Sequence, residues 1–512
     1  MRYTEKCLWA LSLSLTLCSP SQAFTLDNIN TTANANHIFN SIQSTLRHYE
    51  SSIYPNGMSF FIATVEKGTR FYHGTGTPDP IVGVEWLAFK PQHSLGFAHR
   101  AHGQKGFMHK NDEHDHHRNQ DRDLDQGQGQ DQDQAPLGNP PVHPHGNTNT
   151  NANTDPVNAG YLHTYAAAKD LRLLYIDGMS AGPGGALESQ DRILFNDTIS
   201  HPEPGPRPPV GGPPEEKERA FQTCRMVKEV WGERVDGIAR TEGDFEIILC
   251  SFERDLEVVA ITQTKPQVGG GGPGGGPGGP GGPGGPGGPG GGRGRKGGRK
   301  GPGGPHGPGG PGGPRGRPQG GDCCSIDARY DRLLGQKVRL DFDHFVTAYG
   351  YDLDLFPGDS KIPLLDHIPS EEFEPVRSDI NEMVNTLRPV DSPFDWQAVA
   401  DMIVFRYSDE LRTLAAGNFS SVDVLRTRIE GVLEPFIDYR DFGAREDIVG
   451  LCQNEFIPAS APAESLAGQV VSSISREVCD TLASGLLDGK DLDETVESFK
   501  QLVSFLGWTT WK

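Results

Sequence analysis

The segment Gly178-Met179-Ser180-Ala181-Gly182 has the Gly-x-Ser-x-Gly spacing of a nucleophile elbow, where a serine on a sharp strand-to-helix turn attacks an acyl carbon. It follows the apolar run Leu171 to Ile176, which reads as the strand that such an elbow requires. The chemistry also needs a helix directly after Ser180, a histidine to take its proton and an acid to orient that histidine. Pro183-Gly184-Gly185 opposes an immediate helix, although proline is tolerated at a first helical position. Downstream, His201 and His306 sit in Gly/Pro-rich stretches and His344 and His367 lie past them, while the strand-helix alternation of an α/β-hydrolase is missing. A plain glycine turn after the strand accounts for the same five residues. Ser180 stands as an alternative nucleophile.

A second group that could do chemistry is His109, Asp112, Glu113, His114, Asp115, His116 and His117. Imidazole and carboxylate suit zinc, copper or nickel, but a polar segment with no fixed backbone enforces no geometry, so no metal site is assigned. The cysteines point to bridges instead. Arg2 and Lys6, the apolar run Cys7 to Cys18 and the small-residue exit Ser21-Gln22-Ala23 make residues 1–23 a signal peptide cut after Ala23. Its removal leaves six of the eight cysteines, Cys224, Cys250, Cys323, Cys324, Cys452 and Cys479. An even set in an exported chain argues for disulfides, and Cys224 with Cys250 and Cys452 with Cys479 are the expected pairs because each lies in one compact segment. Export also makes the sequons at Asn30, Asn196 and Asn418 candidate glycosylation sites. The expected location is extracellular.

A formal net charge of -21 disfavours nucleic acids and anionic membranes as partners for the whole chain. No later stretch approaches the roughly 20 apolar residues of a spanning helix, and no membrane anchor is expected. An extracellular or cell-wall partner fits the composition; a basic island at Arg293, Arg295, Lys296, Arg299 and Lys300 could touch polyanions or the acidic Asp/Gln stretch of the same chain.

The elements that must position these residues fall into two ordered parts. Residues 266–322 are almost entirely Gly and Pro and read as a disordered linker. Before it, residues 24–265 read as an α+β domain with disordered insertions at about 102–158 and 182–214. A helix is expected from Asn36 to Ser52, strands over Phe60 to Val65, Arg70 to His73, Val84 to Phe89 and Leu171 to Ile176, then a helix with Phe221, Cys224, Val227, Val230 and Trp231 on one side. Strands at Phe245 to Phe252 and Leu256 to Thr262 complete it. Residues 323–512 carry a candidate strand, Val338 to Phe345, and helical spacing at Phe394 to Leu414, Ser421 to Ile437, Ala463 to Leu487 and Leu492 to Leu506, so this region is mainly α-helical.

The strings NHIFNSIQSTLRHY, GMSFFIATVEKGTRFYHGT, VEWLAFKPQHSLGFA, GYLHTYAAAKDLRLLYIDGMSAG and GDFEIILCSF resemble an uncharacterised family of secreted fungal proteins, a resemblance that implies an extracellular setting and no particular activity. A more distant similarity is to ADP-ribosyltransferases. It implies NAD as cofactor, with His73 in Tyr72-His73-Gly74-Thr75 holding the ribose and the Gly74-Thr75 turn admitting the nicotinamide. The same similarity implies Trp86 beside the nicotinamide, followed by a helix over Ser94 to Ala98, and Glu246 as the carboxylate that stabilises an oxocarbenium-like transition state. The aromatic strand departs from that pattern by lacking the tyrosine that stacks on nicotinamide, and the connection from Thr75 to Val84 is short. The alternatives are a non-catalytic extracellular or cell-wall-associated binding protein and the serine hydrolase above. The transferase reading requires that His73 and Glu246 face one pocket.

Overall fold

Runs rich in Val, Ile, Phe and Tyr make the centre of this molecule a sheet, because branched and aromatic side chains pack well on a pleated surface. The computed structural model describes residues 34–47, 54, 56–98, 159–181, 189–199, 214–241, 245–265, 337–358, 360–386, 393–440 and 444–511. Residues 1–23, where a signal peptide is expected, Asn30, the two expected insertions, the basic island, Cys323 and Cys324 lie outside them, apart from residues 189–199 and 214 of the second insertion.

In chain order the first part contains α1 (Ala35–Ser44), β1 (Ser59–Val65), β2 (Arg70–Thr75), β3 (Glu85–Ala88), α2 (Pro91–Leu95), β4 (Tyr161–Ala167) and β5 (Leu171–Ile176). A π-helical turn at Ser189–Leu194 precedes α3 (Pro214–Glu229), β6 (Gly237–Thr241), β7 (Phe245–Leu249), the short turn α4 (Phe252–Asp255) and β8 (Leu256–Gln263). The second part opens with β9 (Val338–Thr347) and continues through α5 (Glu374–Thr386), α6 (Trp396–Ala416), α7 (Val422–Leu433), α8 (Arg445–Gln453), α9 (Leu466–Leu487) and α10 (Leu492–Leu506). A sheet-rich N-terminal region and a mainly helical C-terminal region are therefore present, as the sequence implies.

The nine strands form one sheet in the order β8-β4-β2-β3-β7-β6-β5-β1-β9. All neighbours are antiparallel except β5 and β6. Burial grades across it. At β1, β5, β6 and β7 nearly every residue is buried, the pattern of strands covered on both faces. β4 alternates between buried and half-exposed, and β8 is exposed along most of its length.

β9, the candidate strand Val338 to Phe345, pairs with β1 (Ser59 opposite Thr347, Val65 opposite Val338) and so extends the sheet of residues 24–265 with a strand from residues 323–512, a packing the sequence leaves open. The first helix makes the same connection: α1 packs on α6, α9 and α10. There Asn40 Nδ2 donates to Leu506 O at 2.8 Å and satisfies one of the carbonyls a helix C-terminus leaves without an internal partner. Apolar side chains from both parts fill one continuous core.

Three expected elements differ in detail. α1 stops at Ser44 rather than reaching Ser52, since Leu46 takes a left-handed backbone (φ 52°) and donates its N–H to the Tyr175 hydroxyl. The strand expected to Phe252 ends at Leu249. Phe221 on α3 and Val230 just after it are exposed, and the inward face of the helix carries Arg219, Ala220, Thr223, Met226 and Val227.

The C-terminal helices start on side-chain caps. Asp395, Ser421 and Ser465 each accept a backbone N–H, and Asp491 with Glu494 forms a capping box at α10. Disulfides join Cys224 to Cys250 and Cys452 to Cys479, the expected pairs. They tie α3 to the residue after β7 and α8 to α9.

Candidate functional site

His73 and Glu246 stand on opposite faces of the sheet. Residues paired in register share a face, and Tyr72 is paired with Ala88, Ala88 with Glu246, and Glu246 with Arg240. His73 is the next residue after Tyr72 and points the other way. Trp86, two residues before Ala88, lies on the Glu246 face. The arrangement the transferase resemblance implies is therefore not assembled, and the physical reason is strand parity.

The space assigned to nicotinamide is occupied as well. His73, Gly74 and Thr75 are not a turn but the end of β2, paired with His163, Leu162 and Tyr161 of β4. On Gly74, a Cβ would come 1.9 Å from the carbonyl oxygen of Ser94, so glycine is required there for α2 to seat its backbone on the strand. The residues present do not fit NAD.

His73 belongs to an aromatic cluster. Its Nδ1 lies 2.8 Å from the Trp86 carbonyl oxygen, its ring meets Phe252 edge-on, and His163 lies beside it. The carbonyl fixes the tautomer with hydrogen on Nδ1. His163 is held between the Thr77 carbonyl (Nε2, 2.9 Å) and the Tyr165 hydroxyl (Nδ1, 3.1 Å). Burial lowers the pKa of both rings against the raising effect of the carbonyls, which keeps them neutral.

Glu246 is engaged in a buried chain of charges on the other face. Only 7% exposed, it accepts from Arg240 Nε at 2.7 Å. Arg240 also donates to Gln190 Oε1 at 3.0 Å and pairs with Glu216. Glu216 pairs with Arg219 at 2.8 Å, and Arg219 grips Asp191 through two parallel bonds of 2.8 and 2.7 Å. Burial acts to lower the pKa of both arginines, but the surrounding carboxylates outweigh it and raise them, so the charges persist. Glu246 thus neutralises a buried cation, and its carboxylate is not presented to an acceptor.

The nucleophile elbow is likewise unassembled. Ser180 is fully buried and its hydroxyl donates to Ile176 O at 3.1 Å, back into the end of β5. No histidine is paired with it among the described residues, and Gln190 Nε2 donates to its carbonyl. Of the other histidines considered, His344 pairs with Asp341 in β9 and His367 donates to the Asp354 carbonyl oxygen.

Sequence reading missed Arg219, Arg240, Glu216, Asp191 and His163. A signal for one pair was there: Arg240 and Glu246 are equidistant from Gly243, the spacing of facing residues across a hairpin. Both remaining sequons are exposed. Asn418 follows Gly417, which ends α6 in a left-handed conformation. Asn196 uses its Oδ1 to accept from Ser370 and Arg377, each at 2.9 Å.

Residues 24–268 are similar to the family described as the YPL277C N-terminal domain, whose model matches that stretch. Two relatives from Saccharomyces cerevisiae are the uncharacterised proteins YPL277C and YOR389W. The first is 32% identical over 238 residues, 45% of this chain and 43% of the relative. The second is 32% identical over 237 residues, 45% of this chain and 34% of the relative. The chain therefore spans less than half the length of each. No solved structure matches.

Proposed function

We propose that the chain is an exported, disulfide-bridged, glycan-bearing protein that acts outside the cell or at its wall by binding, rather than by NAD-dependent or serine-dependent catalysis. The observation that carries this reading is the placement of His73 and Glu246 on opposite faces, with Glu246 consumed by buried Arg240. Two disulfides, one in each part of the chain, support an oxidising compartment. Exposed Asn196 and Asn418 support glycan attachment, since at Asn196 only Oδ1 is engaged among the described residues and the amide nitrogen that carries a glycan has no partner.

The test is recovery of the protein from culture medium, with thiol trapping, glycosidase treatment and incubation with NAD. Cys224, Cys250, Cys452 and Cys479 should be protected from alkylation until reduction, and the mass should fall on glycan removal. NAD consumption should be absent and unchanged in Glu246→Gln. Free thiols in a cell-retained protein would overturn export, and NAD turnover lost in Glu246→Gln would overturn the binding reading.

A further inference from the structure

β2 and β3 are neighbours in the sheet, a junction that about two to five residues can make, yet nine residues, 76–84, join them. The surplus lies across the His73 face. Thr77 meets His163 Nε2 through its carbonyl oxygen at 2.9 Å, and Ile81 N donates to the Tyr165 hydroxyl at 3.0 Å. Gly83 N donates to Glu253 Oε2 at 2.8 Å, and Gly83 O accepts from Phe252 N at 3.1 Å. Phe252 meets the rings of both His73 and Tyr165 edge-on, so the loop is the cover of one aromatic cluster. Its own outer side, with Pro78, Asp79, Pro80 and Val82, is exposed.

The hydrogens in this cover run in one direction. A carbonyl oxygen only accepts, so Nε2 of His163 carries the hydrogen and donates to Thr77 O. In the neutral ring Nδ1 is then bare and accepts the Tyr165 O–H at 3.1 Å, while the Tyr165 oxygen accepts Ile81 N–H. A second proton on His163 must land on Nδ1. Two donors then face each other, and a charge stands where the side chain is 0% exposed. Burial holds the His163 pKa below its ordinary value and His73 acts the same way, against the Thr77 carbonyl and Asp79, which do not prevail. Glu85, which acts on Tyr165, and Glu253 on Gly83 N are further carboxylates at this cover.

From this geometry we propose that residues 76–84 are an acid-released strap: a proton taken up by His163 breaks the Thr77–His163–Tyr165–Ile81 chain at Nδ1, and the loop lifts from His73, Tyr165 and Phe252. The lifted ring stands in water and titrates in the ordinary histidine range, whereas the covered ring holds no second proton. Opening therefore takes up a proton, and it is favoured as pH falls below about 6.5. Val258 is paired with Tyr165, shares its face and is 48% exposed, so release of the strap enlarges an apolar surface near the β8 end of the sheet.

Hydrogen exchange of the full chain between pH 8 and pH 5, corrected for the intrinsic rate at each pH and followed in peptides over residues 76–84, tests this. The opening constant of the strap should stay level down to about pH 6.5 and then rise by about tenfold per pH unit, more steeply than that of β5. His163→Gln keeps a donor for Thr77 O and has nothing to titrate, so the rise should vanish. Tyr165→Phe keeps the histidine but takes the anchor from Ile81 N–H, and it should open the strap already at pH 8. A parent strap indifferent to pH, a rise that survives in His163→Gln, or a Tyr165→Phe strap as closed at pH 8 as the parent's would each overturn the proposal.

Discussion

Asp177 sits just past the end of β5, fully enclosed, with one carboxylate oxygen accepting the N–H groups of Met58 at 2.7 Å and Ser59 at 2.8 Å. Burial pushes its pKa up, to about 6, by more than these hydrogen bonds draw it down. Between the ordinary carboxylate range and pH 6 the folded chain therefore holds a proton that the unfolded chain has released. Stability from this group is complete in acid and is lost as pH rises through about 6, amounting to roughly 3 kcal/mol for a shift of about two units. Asp177→Asn keeps the accepting oxygen and removes the ionisation. Urea unfolding of both proteins should show the variant gaining on the parent by up to about 3 kcal/mol between pH 4 and pH 7.5, and a difference independent of pH would refute the assignment. His73 and His163 act in the opposite direction, losing stability as pH falls through the ordinary histidine range, but equally in both proteins. Cysteine pairing was legible at this scale because nearness in sequence limits where a bridge can form. The Glu246–Arg240–Glu216–Arg219–Asp191 chain was not, since charged side chains read as solvent-facing unless their partners are known, and these partners come from four separate segments.

Among the elements, β2 and α2 show how a motif can have the right letters and another meaning. His73-Gly74-Thr75 looks like a ligand-admitting turn, yet six consecutive residues of β2 pair with β4 and the missing Cβ of Gly74 admits the backbone of α2. Gly74→Ala should therefore destabilise the protein by about 1–3 kcal/mol, because the obstructing atoms are backbone carbonyl and amide groups that cannot rotate away. Denaturant midpoints measure the loss, and an unchanged midpoint would mean that α2 does not seat on β2. Strand and helix positions were readable wherever periodicity was strong, as at β5 and α10. β6 was not: Gly237-Ile238-Ala239-Arg240-Thr241 opens on glycine and carries a charge, and it is a strand because it fits between β5 and β7. Its parallel pairing with β5 follows from a crossover through α3, which local spacing does not encode.

At the scale of the molecule, the Gly/Pro segment separates two ordered parts in sequence and leaves open whether they pack together. β9 pairs with β1 from beyond that segment, and Phe345 stacks on Phe61 with ring centroids 4.6 Å apart. Three further bonds cross the same boundary: Trp231 Nε1 to Asn381 Oδ1 at 2.8 Å, Arg377 Nε to Ile193 O at 2.8 Å, and Arg192 Nη2 to Ile368 O at 2.6 Å. Without residues 337–511, β1 would become a bare edge and the apolar faces of β1 and α1 would lose their cover, so the sheet of residues 24–265 depends on the helices for its stability. The two parts should consequently unfold together. Replacing Cys452 and Cys479 by serine removes about 3 kcal/mol of restraint from a loop of 26 intervening residues wholly within the C-terminal helices. If the core is one cooperative unit, hydrogen exchange in β5 should accelerate by the same factor as in α9, because both open through global unfolding. Protection lost in α9 and retained in β5 would show two independent units and would contradict the shared core.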